Sequence, residues 1–138
     1  MGLITEKSKP LIAIIDDDES VCRAIERLVR SLGMKGDTFT SSQEFIEMVE
    51  TTSSLNIDCI ILDVQMPNLN GLEVQERLAR SGSLVPVIFI TAHDDAGTCE
   101  RALAAGAIAF LRKPFNDELL VKTLDDALKH GAGEKEND

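Results

Sequence analysis

The sequence predicts an α/β fold, a parallel β-sheet with helices on both faces. Short apolar runs that end in a polar residue alternate with stretches whose apolar residues recur at helical spacing. The alternation repeats five times along 138 residues. Such alternation calls for right-handed crossovers that place helices over each face. Three of the runs, at 11–15, 57–62 and 85–90, are strongly apolar and rich in Ile and Val, the first of them continuous, the pattern of strands buried on both faces.

Leu11-Ile12-Ala13-Ile14-Ile15 makes the first strand and stops at Asp16. Val21, Ile25, Leu28, Val29 and Leu32 then share one helical face, and Gly33 stops that helix. Residues 34–39 are a weaker strand candidate. Ser41 and Ser42 are both suited to cap a helix carrying Phe45, Met48 and Val49. The strand at 57–62 ends at Asp63, and Asn68-Leu69-Asn70-Gly71 is turn chemistry leading into a helix with Leu72, Val74 and Leu78. The strand at 85–90 ends at Thr91. A helix over about 96–105 stops at Gly106, and residues 107–111 form a last short strand ending at Lys113-Pro114. The final helix starts from Asn116 as its N-cap and runs through Leu120, Leu124 and Leu128 to Lys129. One folded domain, 10–130, is expected between polar tails at 1–9 and 131–138.

Composition narrows the function. Lys and Arg number 14 against 24 Asp and Glu, a net charge of −10. A nucleic-acid surface needs clustered cations to displace counterions from phosphate, so this domain is not expected to bind nucleic acid by itself. No apolar run approaches the roughly 18–20 residues that cross a bilayer, and the first ten residues lack the apolar segment of a secretory signal. Cys22, Cys59 and Cys99 are odd in number and far apart, which fits a reducing cytoplasm better than a disulfide framework or a zinc site. Cys59, inside an apolar strand, reads as a small core residue.

In open α/β sheets, ligands bind beyond the carboxyl ends of the strands, where the strand order reverses. The residues that end the strands are therefore the candidates. The first strand ends in Asp16-Asp17-Asp18-Glu19, the third in Asp63, the fourth in Thr91 and the fifth in Lys113-Pro114. Taken singly they are ordinary: acidic residues after a strand often only cap the next helix. Together they converge from four segments. Carboxylates aimed at one spot repel unless something neutralises them. An oxygen-only donor set without Cys or His argues for Mg²⁺ over Zn²⁺. A magnesium ion with a nearby lysine and hydroxyl suits a phosphoryl group, and a carboxylate there can be the nucleophile.

The same residues, in the same order, resemble the response-regulator receiver (CheY-like) domain of two-component signalling. The resemblance covers about 10–130 and rests on Ile14-Ile15-Asp16-Asp17-Asp18-Glu19, Ile61-Leu62-Asp63-Val64-Gln65-Met66-Pro67, Gly71, Ile90-Thr91-Ala92 and Phe110-Leu111-Arg112-Lys113-Pro114-Phe115. The texture of Thr91-Ala92-His93-Asp94-Asp95 is closest to FixJ-type receivers. The resemblance implies a doubly wound, flavodoxin-like (βα)5 fold with strand order 2-1-3-4-5. It implies Asp63 as phosphoacceptor, with Mg²⁺ held directly by Asp17, through water by Asp16, and by Asp63 and the Gln65 backbone carbonyl. Lys113 and Thr91, with the Ala92 backbone, would hold the phosphoryl oxygens. The Lys113-Pro114 peptide would be cis, Thr91 and Phe110 would form the switch, and Gln65 and His93 would tune phosphoryl lifetime. His93 can be read as a weak base on water or as a neutral, partly exposed imidazole.

The implied partners are a sensor histidine kinase or phosphotransfer protein. A downstream protein or an output domain would read the face of the fourth helix, fifth strand and fifth helix, where a phosphorylation-dependent homodimer could also form. The run Ala102-Leu103-Ala104-Ala105 has small side chains that would let the fourth helix shift or pack closely, or would merely suit a helix. Asn70-Gly71 stands where the family more often has an acidic residue before Gly, which reads as a variation of the turn. A haloacid-dehalogenase-type phosphatase is the competing reading, since Asp16-Asp17-Asp18 satisfies its Asp-x-Asp spacing, with Asp16 as nucleophile. The acidic stretch 134–138 favours a stand-alone receiver, whereas the FixJ-like texture favours the receiver half of a transcription factor.

Overall fold

The structure, a computed structural model, describes residues 9–52, 56–92 and 96–136. Its elements are β1 (Leu11–Ile15), α1 (Glu19–Ser31), β2 (Lys35–Phe39), α2 (Ser42–Thr51), β3 (Cys59–Asp63), α3 (Gly71–Arg80), β4 (Val87–Thr91), α4 (Ala96–Ala104), β5 (Ala109–Arg112) and α5 (Asp117–Glu136). The strands form one sheet in the order β2-β1-β3-β4-β5, and each neighbouring pair is parallel.

The apolar runs are explained by two core layers. Ile12, Ile14, Cys59, Ile61, Ile88 and Ile90 face α1 and α5, where Ile25, Val29, Leu120 and Leu124 cover them. The alternate residues Ala13, Ile15, Ile60, Leu62 and Phe89 face α2, α3 and α4, against Phe45, Ile46, Val74, Leu78 and Ala102. Both faces are dry, so no position in β1, β3 or β4 is left over for a polar alternation. Each fully buried Ile or Leu contributes about 1.5–3 kcal/mol relative to exposure. Strand β2 gave the weaker signal because it is the edge: Lys35, Asp37 and Thr38 are exposed. It still pairs with β1 along its whole length.

Local chemistry sets the ends. Asp18 caps α1, accepting from the Ser20 N–H at 2.9 Å. Of the two serines before α2, Ser41 is the cap and accepts from the Glu44 N–H. Ser42 is instead the first helical residue, and its buried hydroxyl donates to the Leu69 carbonyl at 2.5 Å. Asn70 and Glu73 form a reciprocal capping box on α3. Asn68 takes the left-handed conformation, with φ of 70°, in the turn ahead of it. Asn116 caps α5 through the Leu119 N–H at 2.7 Å.

Boundaries differ from the sequence expectation at several ends, and β3 runs Cys59–Asp63 rather than 57–62. Strand β4 begins at Val87 rather than at residue 85, because Pro86 has no N–H to give to a ladder. Strand β5 lies one or two residues later than expected, at Ala109–Arg112, since it is set by pairing with β4. Helix α5 continues past Lys129 to Glu136. Gly131 and Gly133 cost a helix about 1 kcal/mol each, but neither blocks the hydrogen-bond ladder as a proline would. Residues 131–136, expected in a tail, are thus helical, and of the expected tail 1–9 only Lys9 is described. Among the described residues, no helix is long and apolar enough to cross a membrane.

Candidate functional site

The parallel registers bring the ends of four strands together. Ile15 pairs with Leu62, so Asp16 and Asp63 follow side by side on β1 and β3. Asp63 pairs with Ile90, the residue before Thr91. Thr91 pairs with Arg112, and the Lys113 N–H donates to the Thr91 carbonyl at 2.7 Å. This edge lies where the strand order reverses between β1 and β3, the usual ligand position of an open α/β sheet.

Three side chains meet there. The Lys113 ammonium donates to Asp16 Oδ2 at 2.7 Å and lies 3.5 Å from Asp63 Oδ2. The second oxygen of Asp16 accepts from the Asp18 N–H at 2.9 Å, and that of Asp63 accepts from the Gln65 N–H at 3.1 Å. Asp16 is fully buried and Asp63 is 3% exposed. Burial, then the Asp16 charge beside it, push the Asp63 carboxyl up to about 6, against the pull of Lys113 and the Gln65 N–H. Burial also works against the Lys113 charge, yet the hydrogen bond to Asp16 and the two carboxylate charges prevail and raise its pKa.

Asp17 is exposed at the rim. Carboxylate oxygens of Asp16, Asp17 and Asp63 all lie within 4.8 Å of one another. This donor set is hard, oxygen-only and excessively negative, with a single lysine set against three carboxylates. It fits a small divalent cation such as Mg²⁺. Asp18, which the sequence placed in the same acidic run, belongs to the helix: the Ser20 hydroxyl and N–H hold its carboxyl below the usual range.

Thr91 is buried at the end of β4, with exposed Ala92 after it. Phe110 pairs with Phe89 across β4 and β5, their rings 6.2 Å apart. Thr91 stands two residues beyond Phe89 and shares its face of the sheet. Phe110 is half-buried on that face, toward α4. The Gln65 side chain is exposed. The Lys113–Pro114 peptide is cis. His93 lies outside the described residues.

Two contacts depend on the fold: the Cys22 contact has no sequence signal, and Gly71 is legible in the sequence only as a turn glycine of the motif. Cys22, buried on α1, donates its thiol to the Asp16 carbonyl at 3.2 Å. Burial, then the nearby Asp16 charge, push that thiol up to about 11, which leaves it protonated at neutral pH. Gly71 is packed so tightly that a Cβ there would sit 2.7 Å from the Asp63 carbonyl oxygen. Cys59 is a fully buried core residue, its thiol pushed up to about 12 by burial.

Fold and site together define a signalling module of the two-component class. The family model of the response regulator receiver domain matches residues 12–125, and the chain belongs to that family. It is similar to the response regulator protein TmoT of Ectopseudomonas mendocina, at 42% identity over 127 residues, covering 92% of this chain and 56% of that protein. It is also similar to the transcriptional regulatory protein FixJ of Bradyrhizobium diazoefficiens, at 31% identity, covering 88% of this chain and 58% of that protein. The chain spans about half the length of the curated relatives it matches. Among solved structures, a response regulator receiver protein from Burkholderia phymatum is 60% identical, with a TM-score of 0.79, covering 88% of this chain and 96% of that one.

Proposed function

We propose that this receiver takes a phosphoryl group onto Asp63, with Mg²⁺ bound beside it, and signals through the face formed by α4, β5 and α5. The observation that carries the reading is the placement of Asp63. It lies at the switch point, buried, within reach of a lysine and of two further carboxylates, of which Asp16 is itself held by Lys113 and the Asp18 N–H. An Asp63 oxygen attacks the phosphorus of a phosphohistidine or small acyl phosphate. The new O–P bond forms as the old N–P or O–P bond breaks, and the leaving group departs with the bonding pair. The Gln65 N–H steadies the carboxylate, and Lys113 offsets the charge of the incoming phosphoryl oxygens. Asp17, Asp63 and the Gln65 carbonyl, with Asp16 through water, would hold the magnesium ion, which when bound neutralises charge on both nucleophile and phosphoryl group. Asp16 is a poor nucleophile by comparison, since one oxygen is taken by Lys113 and the other by the Asp18 N–H. That disfavours the haloacid-dehalogenase reading.

The donor is proposed to be a sensor histidine kinase or phosphotransfer protein in the cytoplasm. The readout would be an output domain, a downstream protein or a second receiver on the α4–β5–α5 face. Thr91 would move toward a phosphoryl oxygen, and Phe110, on the same face of the sheet, would turn into the space it leaves. Gln65 would set phosphoryl lifetime, and His93 with it. Intact-mass measurement after incubation with acetyl phosphate and Mg²⁺ tests the central step. One acid-labile phosphoryl group is expected, and it should vanish in Asp63→Asn, whose amide is not a nucleophile. Modification that persists in that variant would move the acceptor elsewhere.

A further inference from the structure

The small-residue run at 102–105 closes α4. Gly106, with φ of +106°, follows it. The Ala107 N–H reaches back to the Ala102 carbonyl at 3.0 Å, and the Gly106 N–H to the Leu103 carbonyl at 3.0 Å. This is a Schellman ending, which satisfies the last carbonyls of the helix. A carbonyl has two lone pairs, and the second of Ala102 is taken from another helix. Gln75 on α3 donates its side-chain amide to that oxygen at 3.3 Å.

Both partners are sealed from water: Ala102 is fully buried and Gln75 is 6% exposed. The neighbours of Gln75 on α3, Val74 and Leu78, are core residues, so an apolar side chain would be the default at this position. A buried amide is costly unless its bond is made. The two helices are also unequal. Helix α3 is fastened by its capping box, by the Gly71 N–H bond to the Val64 carbonyl, and by Val74 and Leu78 in the core. Helix α4 presents Ala102 to the core, a side chain that offers few atoms for dispersion contacts. A directed hydrogen bond from Gln75 thus adds to the small apolar contact that Ala102 makes.

We infer that Gln75 is a positioning residue that fastens the C-terminal turn of α4 to α3 in the resting state, and that the phosphorylation signal works against this fastening. The inference rests on the proposed role of the α4–β5–α5 face. Thr91 and Ala92 lie toward the opposite end of α4, so a change at the phosphorylation site reaches the helix from its N-terminal end while Gln75 restrains the other.

The test compares the full chain with Gln75→Met, which keeps length and flexibility and removes the donor, and with Gln75→Leu should the first variant fold poorly. Hydrogen exchange is followed at 102–107, and beryllofluoride is titrated with Mg²⁺ and read by amide shifts in β5. The inference expects exchange at 102–107 to quicken by about fivefold while β1 and β3 keep their protection, the scale of one buried hydrogen bond. It also expects half-saturation at a beryllofluoride concentration lower by about threefold. Unchanged exchange at 102–107, or an equal rise throughout the protein, would overturn it. So would faster exchange without tighter beryllofluoride binding. Failure of the unsubstituted protein to bind beryllofluoride would count against the proposed function, and the exchange measurement would then decide the fastening alone.

Discussion

Lys113 and Asp16 are 97 residues apart in the chain, yet the lysine ammonium donates to the carboxylate at 2.7 Å. The pair holds the first and last strand ends in one site. Asp63, between them, lies farther from the same nitrogen, at 3.5 Å. The lysine is therefore committed chiefly to Asp16, and Asp63 is left as the less neutralised carboxylate.

That imbalance predicts a pH dependence of stability in metal-free buffer. Burial, then the Asp16 charge, push the Asp63 carboxyl up to about 6 in the fold, from an ordinary value of 3.8. The folded protein therefore binds this proton more tightly than the unfolded chain. Its stabilising contribution is complete below pH ~4 and is lost as pH rises through ~6. Asp63→Asn should accordingly be more stable than the parent at pH 7 by roughly 1–3 kcal/mol, with the gap closing toward pH 4. Urea unfolding in EDTA at several pH values checks this.

Magnesium should relieve the same repulsion. Thermal unfolding of the parent is expected to shift upward with added Mg²⁺. Asp17→Ala should abolish the shift, because Asp17 presents an exposed carboxylate at the rim. Asp16→Ala should weaken it less, because both Asp16 oxygens are already engaged by Lys113 and the Asp18 N–H. A parent protein indifferent to Mg²⁺ would remove the metal assignment.

Removing the lysine should cost both stability and chemistry. Lys113→Met strands Asp16 without its cation, and the lysine side chain is only 20% exposed. A loss of about 1–3 kcal/mol is expected in urea at pH 7 without metal, less than for a fully buried pair. Phosphorylation by acetyl phosphate should slow by about tenfold or more, as followed by intact mass over time.

Gly71 should tolerate no side chain. A Cβ would meet the Asp63 carbonyl oxygen at 2.7 Å and the Val64 Cα at 2.9 Å, and backbone atoms cannot swing aside as a side chain tip can. Gly71→Ala should destabilise the protein by about 1–3 kcal/mol and displace the loop carrying Gln65. Equilibrium unfolding with Mg²⁺ titration of the same variant measures both effects.

The output face carries the last expectation. Beryllofluoride with Mg²⁺ should produce its largest amide shifts, away from Asp63 itself, between 91 and 115. Shifts confined to 63–71 would mean that the signal leaves by another route.

The strands with two buried faces were legible in the sequence because their apolar runs admit no other placement, and the helix stops at Gly33 and Gly106 because a left-handed residue ends a helix. The strand-end positions Asp16, Asp63 and Thr91 were legible for the same reason: each is the first polar residue after an apolar strand, with Lys113 following Arg112 at the end of the last one, and parallel pairing sends all such ends to one edge. What the tertiary structure decided is everything that depends on distance between segments. It separated Asp18, a helix cap, from Asp16 and Asp17, although the three are adjacent in the chain. It committed Lys113 to Asp16 more closely than to Asp63, turned Ser42 from a cap into a tie to the Leu69 carbonyl, and set Gln75 against α4. Periodicity reports which face of an element is dry. It does not report which polar atom across the core completes a hydrogen bond, because that depends on angstrom-scale packing between segments far apart in the chain.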